Sequence, residues 1–145
     1  MKKLVYLISP NKINKNFYQE LDKVLYFRNV KFFQLRLKKI NTNSLSKIIS
    51  KIKKITKKHK VKFIINDNYI LASKIIADGC HMGQLDGSIK DARKKLKGKI
   101  LGITCHNSKI LAKNAIKNKA DYIAFGSFFK SKLKPYAKKA NLGVL

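Results

Sequence analysis

The sequence predicts an α/β fold: a TIM-barrel-like parallel (β/α) fold, incomplete, with about six of the eight strands of a full barrel. Two observations predict it. Short apolar runs rich in β-formers alternate with stretches of helical period, and the short connections favour parallel strands and right-handed crossovers. There is also an internal echo. Ala77-Asp78-Gly79-Cys80-His81-Met82-Gly83 resembles Ala120-Asp121-Tyr122-Ile123-Ala124-Phe125-Gly126, as repeated βα units do. At 145 residues the chain suffices for one ordinary core, so residues 1–145 are read as a single (β/α) domain.

Taken in order, Leu4 to Ser9 reads as a buried strand, ended by Pro10 and a loop rich in Asn and Lys. Phe17, Leu21, Val24 and Leu25 share a helical face, giving a helix over about Asn16 to Phe27. Val30 to Lys38 is the second strand. Leu45, Ile48, Ile49, Ile52 and Ile55 line one face of a helix over Ser44 to His59, with lysines on the other. Val61 to Asn66 is the third strand, Tyr69 to Ile76 a short helix, and Gly79 to Gly83 the fourth strand. Ser88 and Asp91 form a capping pair for a helix ending near Leu96. Lys99 to Thr104 is a strand, Ser108 to Asn118 a helix, and Asp121 to Gly126 the sixth strand. Beyond it, Ser127 to Pro135 is a Lys-rich loop and Tyr136 to Leu145 offers at most a turn or short helix. An open sheet would leave the first and last strands with unpaired edges, a surface through which a second copy could pair.

The net charge of +27 invites a nucleic-acid reading. The composition argues against it. Lysine supplies nearly all the positive charge, arginine stands only at positions 28, 36 and 93, and base reading or bidentate phosphate binding would favour arginine. Small phosphorylated anions are the expected partners instead. No apolar run approaches the ~20 residues of a membrane span, and the run in MKKLVYLIS is too short for a signal peptide. A cytoplasmic location is expected, and two cysteines make no disulfide framework.

The chemistry gathers around Phe63 to Asp86. The chain has only seven acidic residues, and Asp67 and Asp86 both fall just past strand ends, where β/α proteins place their chemistry. Asp67 could simply cap the helix that follows. Asp86 has less reason to, since Ser88 and Asp91 already serve its helix. Two carboxylates on neighbouring strand ends also suit Mg²⁺, a hard cation held by one or two carboxylates plus substrate phosphates.

On the second strand Gln34, Arg36 and Lys38 alternate with Leu35 and Leu37, so the polar three share a face. Pointing inward they would want an anionic ligand; on an edge strand they would simply be solvated. Thr104, Cys105 and His106 end the fifth strand. Cys80-His81 with Cys105-His106 suggests zinc, but neighbours on a strand point to opposite faces, so the cysteines are read as core residues. His59 lies in a lysine run and is read as solvated. The glycine, hydroxyls and lysines from Gly126 to Pro135 could wrap a phosphate.

Together these residues resemble the thiamine phosphate synthase family, which is shared with thiazole tautomerases. QLRLK at 34–38 is similar to the family's QLRxK, INDN at 65–68 to its IND segment, and ADGCHMGQLD at 77–86 to ADGxHxGQxD. GITCH at 102–106 resembles GxSxH, and ADYIAFGSFFKSKLKP at 120–135 resembles ADYxxxGPxFxTxTKP. The resemblance covers residues 31 to 135 and implies a barrel. It implies a transferase that joins a hydroxymethylpyrimidine, from its diphosphate, to the nitrogen of a thiazole phosphate and releases pyrophosphate. It further implies Mg²⁺ held by Asp67 and Asp86, and Gln34, Arg36, Lys38 and Asn66 gripping the pyrimidine diphosphate. Thr104 stands where the family has a serine touching the diphosphate, Ser131 belongs to the loop motif, and Lys134 would meet the departing pyrophosphate. Leu133 replaces the loop's second threonine and Lys130 a usual proline. The family's last two βα units, with the glycine pair and serine segment that hold the thiazole phosphate, are expected to be missing. Two other readings follow the same residues: a thiazole tautomerase-like enzyme using His106 as acid and base, or a non-catalytic phosphate-binding module.

Overall fold

The computed structural model describes residues 3–37, 42–129 and 139–145, with the side chains of residues 42 and 43 excepted. The chain divides into two compact units, Met1–Asn66 and Asp67–Leu145. Each repeats strand and helix with parallel pairing throughout.

The first unit carries β1 (Val5–Ile8), α1 (Phe17–Leu25), β2 (Val30–Leu35), α2 (Thr42–Lys58) and β3 (Lys62–Asn66). β2 lies between the other two, aligning Ile8 with Gln34 and Leu35 with Ile65. Its core is aromatic. Phe33 sits between Phe17 and Phe63 with ring centroids 6.3 and 6.5 Å away, and Leu21, Leu25, Ile49 and Ile52 close over it from the helices. Burying each such side chain contributes about 1.5–3 kcal/mol. β2 stops at Leu35 rather than Lys38, so Arg36 stands just past its end. His59 is not solvated: its Nε2 lies 2.7 Å from an Asp22 carboxylate oxygen that also faces Lys58 Nζ at 2.9 Å. The side chain of His59 is only 11% exposed.

The second unit carries α3 (Tyr69–Lys74), β4 (Gly79–Met82), α4 (Ile89–Leu96), β5 (Ile100–His106), α5 (Lys109–Lys117), β6 (Tyr122–Phe125) and a 3-10 turn at Leu142–Val144. β5 is central and runs two residues further than its apolar pattern predicts. The helices present small residues to the sheet, Ala72, Ala92, Ala112 and Ala115, which lets them approach closely over Met82, Leu101 and Ile103. Cys80 and Cys105 are fully buried core residues, as expected. Each helix begins at a side-chain cap: Asn68, Ser88 and Ser108 accept from the backbone three residues on. Arg93 braces α4 against β6, donating to the Asp121 carboxylate and to the carbonyls of Lys97, Lys99 and Lys119. Among the described residues no helix is long and apolar enough to cross a membrane.

Candidate active site

Within each unit the strands run parallel, and polar side chains collect at their carboxyl ends. In the first, Gln34 is buried at 3% exposure, and its amide donates to the Asn66 side chain at the end of β3. The edge-strand alternative for this face therefore fails. Ser9, past the end of β1, is buried too. Its hydroxyl accepts from the Arg36 backbone N–H at 2.9 Å, while its own N–H donates to the Gln34 carbonyl. The Arg36 guanidinium donates to Asn11 Oδ1 at 2.6 Å. A half-buried guanidinium aimed by an amide keeps most of its donors for an anion. Ser9 and Asn11 are partners of Arg36 that sequence reasoning missed. The Asn/Lys-rich loop read as mere punctuation in fact orients the arginine.

The second unit is organised by the end of β4. The His81 carbonyl accepts the Asp67 N–H at 2.7 Å, and the Gly83 N–H donates to Asp86 Oδ2 at 2.6 Å. The end of β4 thus holds the backbone of Asp67 and the carboxylate of Asp86. Asp67 does not cap α3. That role belongs to Asn68, whose Oδ1 accepts from Leu71 N at 2.8 Å. Asp67 instead sits in the left-handed region at φ 65, a conformation that only a few residue types accept cheaply. The neighbouring Cys80 thiol records both carboxylates. Burial pushes its pKa up, and the charges on Asp67 and Asp86 push it further, to about 12.

This donor set fits Mg²⁺. The two carboxyl groups offer hard oxygen ligands, and the neighbouring Cys80 thiol, pushed up mainly by burial, is a poor competitor for such an ion. Among the described residues no group of three or more His, Cys, Asp or Glu gathers that could hold a metal ion.

Beside them lies a cluster that the sequence reading did not single out. Across β4, β5 and β6 the register aligns His81 with Gly102 and Gly102 with Tyr122. A Cβ on Gly102 would fall 2.0 Å from the Tyr122 ring, so the missing side chain makes room for the phenol. The imidazole and phenol rings stack across it at 5.5 Å. His81 Nδ1 lies 2.9 Å from the Tyr122 hydroxyl, and Nε2 lies 2.8 Å from Thr104 Oγ1. Gln84 donates to the Thr104 carbonyl at 2.5 Å. The signal was available, because a glycine inside a strand marks a close approach. His106 stands exposed at the far end of β5, at φ 51. Lys38, Ser131 and Lys134 lie outside the described residues.

A family model for thiamine monophosphate synthase matches residues 5–145. The chain is 58% identical over 147 residues to a thiamine-phosphate synthase of Pelagibacter ubique, covering 99% of this chain and 70% of that protein. It is 41% identical over 133 residues to the thiamine-phosphate synthase of Erythrobacter litoralis, covering 90% and 62%. A solved thiamine phosphate pyrophosphorylase from Pyrococcus furiosus superposes with a TM-score of 0.76 at 26% identity, over 88% of this chain and 61% of that one. The chain therefore spans less than two thirds of the length of the second and third of these. The match in structure bears out the TIM-barrel-like parallel (β/α) fold class.

Proposed function

The chain belongs to the thiamine monophosphate synthase family, and on that premise we propose that it works as a thiamine phosphate synthase. Its substrates on this reading are hydroxymethylpyrimidine diphosphate and thiazole phosphate, and pyrophosphate is released. The observation that carries the proposal is the end of β4, which holds the backbone of Asp67 and the carboxylate of Asp86.

The chemistry asks for little else. The bond between the pyrimidine's exocyclic carbon and the diphosphate oxygen breaks, and the electron pair leaves on pyrophosphate. The thiazole nitrogen then bonds that carbon. No side-chain nucleophile is required, so the protein's task is to stabilise charge on the leaving group. Mg²⁺ held by Asp67 and Asp86 would supply Lewis-acid neutralisation of the diphosphate. Arg36, steadied by Asn11, offers donors to the phosphate oxygens. Gln34 and Asn66, bonded to one another, present amides to the pyrimidine diphosphate. Thr104 offers a hydroxyl to the diphosphate, and Lys38, Ser131 and Lys134 take the phosphate-gripping roles that the resemblance implies.

Titration calorimetry of pyrophosphate with and without Mg²⁺ tests this directly. Binding is expected only with Mg²⁺, and Asp67→Ala is expected to weaken it at least tenfold, since a charged ligand to the ion is lost. Metal-independent binding, or binding that ignores Asp67→Ala, would falsify the proposal. A coupled assay for pyrophosphate release from the two substrates reports the turnover itself.

A further inference from the structure

We propose that Asn11 is a positioning residue for Arg36, and that its being an amide rather than a carboxylate leaves the guanidinium both aimed and charged for a phosphate-class anion. This rests on the reading of Arg36 as a diphosphate contact.

The loop after β1 holds Arg36 at two points. The buried Ser9 hydroxyl accepts the Arg36 backbone N–H and donates to the Pro10 carbonyl at 3.0 Å. Asn11 takes the other end, accepting from the guanidinium at 2.6 Å. Pro10 stands between these anchors with φ fixed by its ring, so the step from one to the other has little slack. The direction of the side-chain bond follows from its chemistry. A guanidinium has five N–H donors and no acceptor, so the amide oxygen is the atom that faces it. It also stays protonated, and a neutral amide does nothing to cancel that charge.

Arg93 shows the alternative. Its guanidinium donates to the Asp121 carboxylate and to the carbonyls of Lys97, Lys99 and Lys119. Those bonds commit its donors to the protein and its charge to a carboxylate, which suits a brace. Arg36 instead gives an N–H to a neutral acceptor. A carboxylate in that place would form a charge-assisted pair with the guanidinium, and an arriving anion would have to compete with it and be repelled by it. The amide fixes direction and leaves the charge available.

Two substitutions of Asn11 separate aim from charge. Asn11→Ala removes the bond and adds no charge. Calorimetry with Mg²⁺ and pyrophosphate is expected to show about a fivefold loss of affinity, the worth of one hydrogen bond. Asn11→Asp restores an acceptor of the same shape, so thermal melts are expected to find it at least as stable as Asn11→Ala. It is nevertheless expected to bind magnesium pyrophosphate at least about tenfold more weakly than Asn11→Ala does. A residue that merely supported the loop would give the opposite order, with Asn11→Asp close to the wild type. On an Arg36→Met background, Asn11→Ala is expected to cost almost nothing, since there is no guanidinium left to aim. In the ligand-free protein, Arg36 guanidinium proton spectra are expected to show separate Nη1 and Nη2 signals that merge in Asn11→Ala. Asn11→Asp binding as tightly as Asn11→Ala, an equal loss on both backgrounds, or a freely turning guanidinium in the wild type overturns the proposal. Absence of Mg²⁺-dependent binding in the wild type instead overturns the functional reading, while the spectra still decide whether Asn11 holds Arg36.

Discussion

Asp67 shows how one backbone angle can separate stability from function. Its φ of 65 costs an ordinary residue about 1–2 kcal/mol, and the N–H bonded to the His81 carbonyl keeps it there. A residue chosen for stability alone would be glycine. Asp67→Gly is therefore expected to leave the melting temperature unchanged or slightly raised, while Mg²⁺-dependent pyrophosphate binding disappears. A fall in stability comparable to a core substitution, read by urea melts, would mean that the carboxylate holds the fold rather than a ligand. Gly102 makes the converse point. Its value lies in the side chain it lacks, since the Tyr122 phenol occupies that volume.

Between elements, the clearest electrostatic tie joins α1 to the end of α2. The Lys58 ammonium, and then His59, hold the Asp22 carboxyl below its usual pKa. A depressed carboxylate stabilises the fold at pH above its unfolded value of about 4. That contribution is lost as pH falls through the lower, folded value. Asp22→Asn is expected to lower the melting temperature slightly at pH 7, because the pair is solvent-screened. The gap between variant and wild type is expected to close towards pH 3, and parallel curves of melting temperature against pH would show that the tie contributes nothing. The same region explains what could be read in advance. Strand and helix positions followed from apolar period, because core burial enforces that period, and the Ser88 cap followed from a local rule. His59 was misread because its partner lies 37 residues away, and of the two readings open for Asp67 the cap falls away because its neighbour Asn68 takes it. The carboxylate pair was visible as two rare acids at strand ends. The His81–Tyr122 contact was hidden, since it depends on the register of three strands.

For the whole molecule, the question is what a net charge of +27 is for. Spread lysines raise the local concentration of any anion and speed its capture, and they do so equally for nucleic acid and for diphosphate. Salt separates the two. Binding a duplex releases counterions in proportion to the phosphates neutralised, so log affinity falls steeply with log salt, by nearly one per phosphate. A diphosphate carries few charges, and on the proposed reading carboxylate-held Mg²⁺ with Thr104 would recognise it by short-range contact, which salt screens little. Pyrophosphate affinity is therefore expected to fall only a few-fold between about 50 and 200 mM KCl, while duplex binding falls by about a thousandfold or more over the same range. If duplex affinity instead holds at 200 mM and exceeds that for magnesium pyrophosphate, the lysines are the working surface and the carboxylate site is secondary. The lysine-rich, arginine-poor composition points to the first outcome, because duplex recognition favours bidentate arginine and the chain has only three arginines.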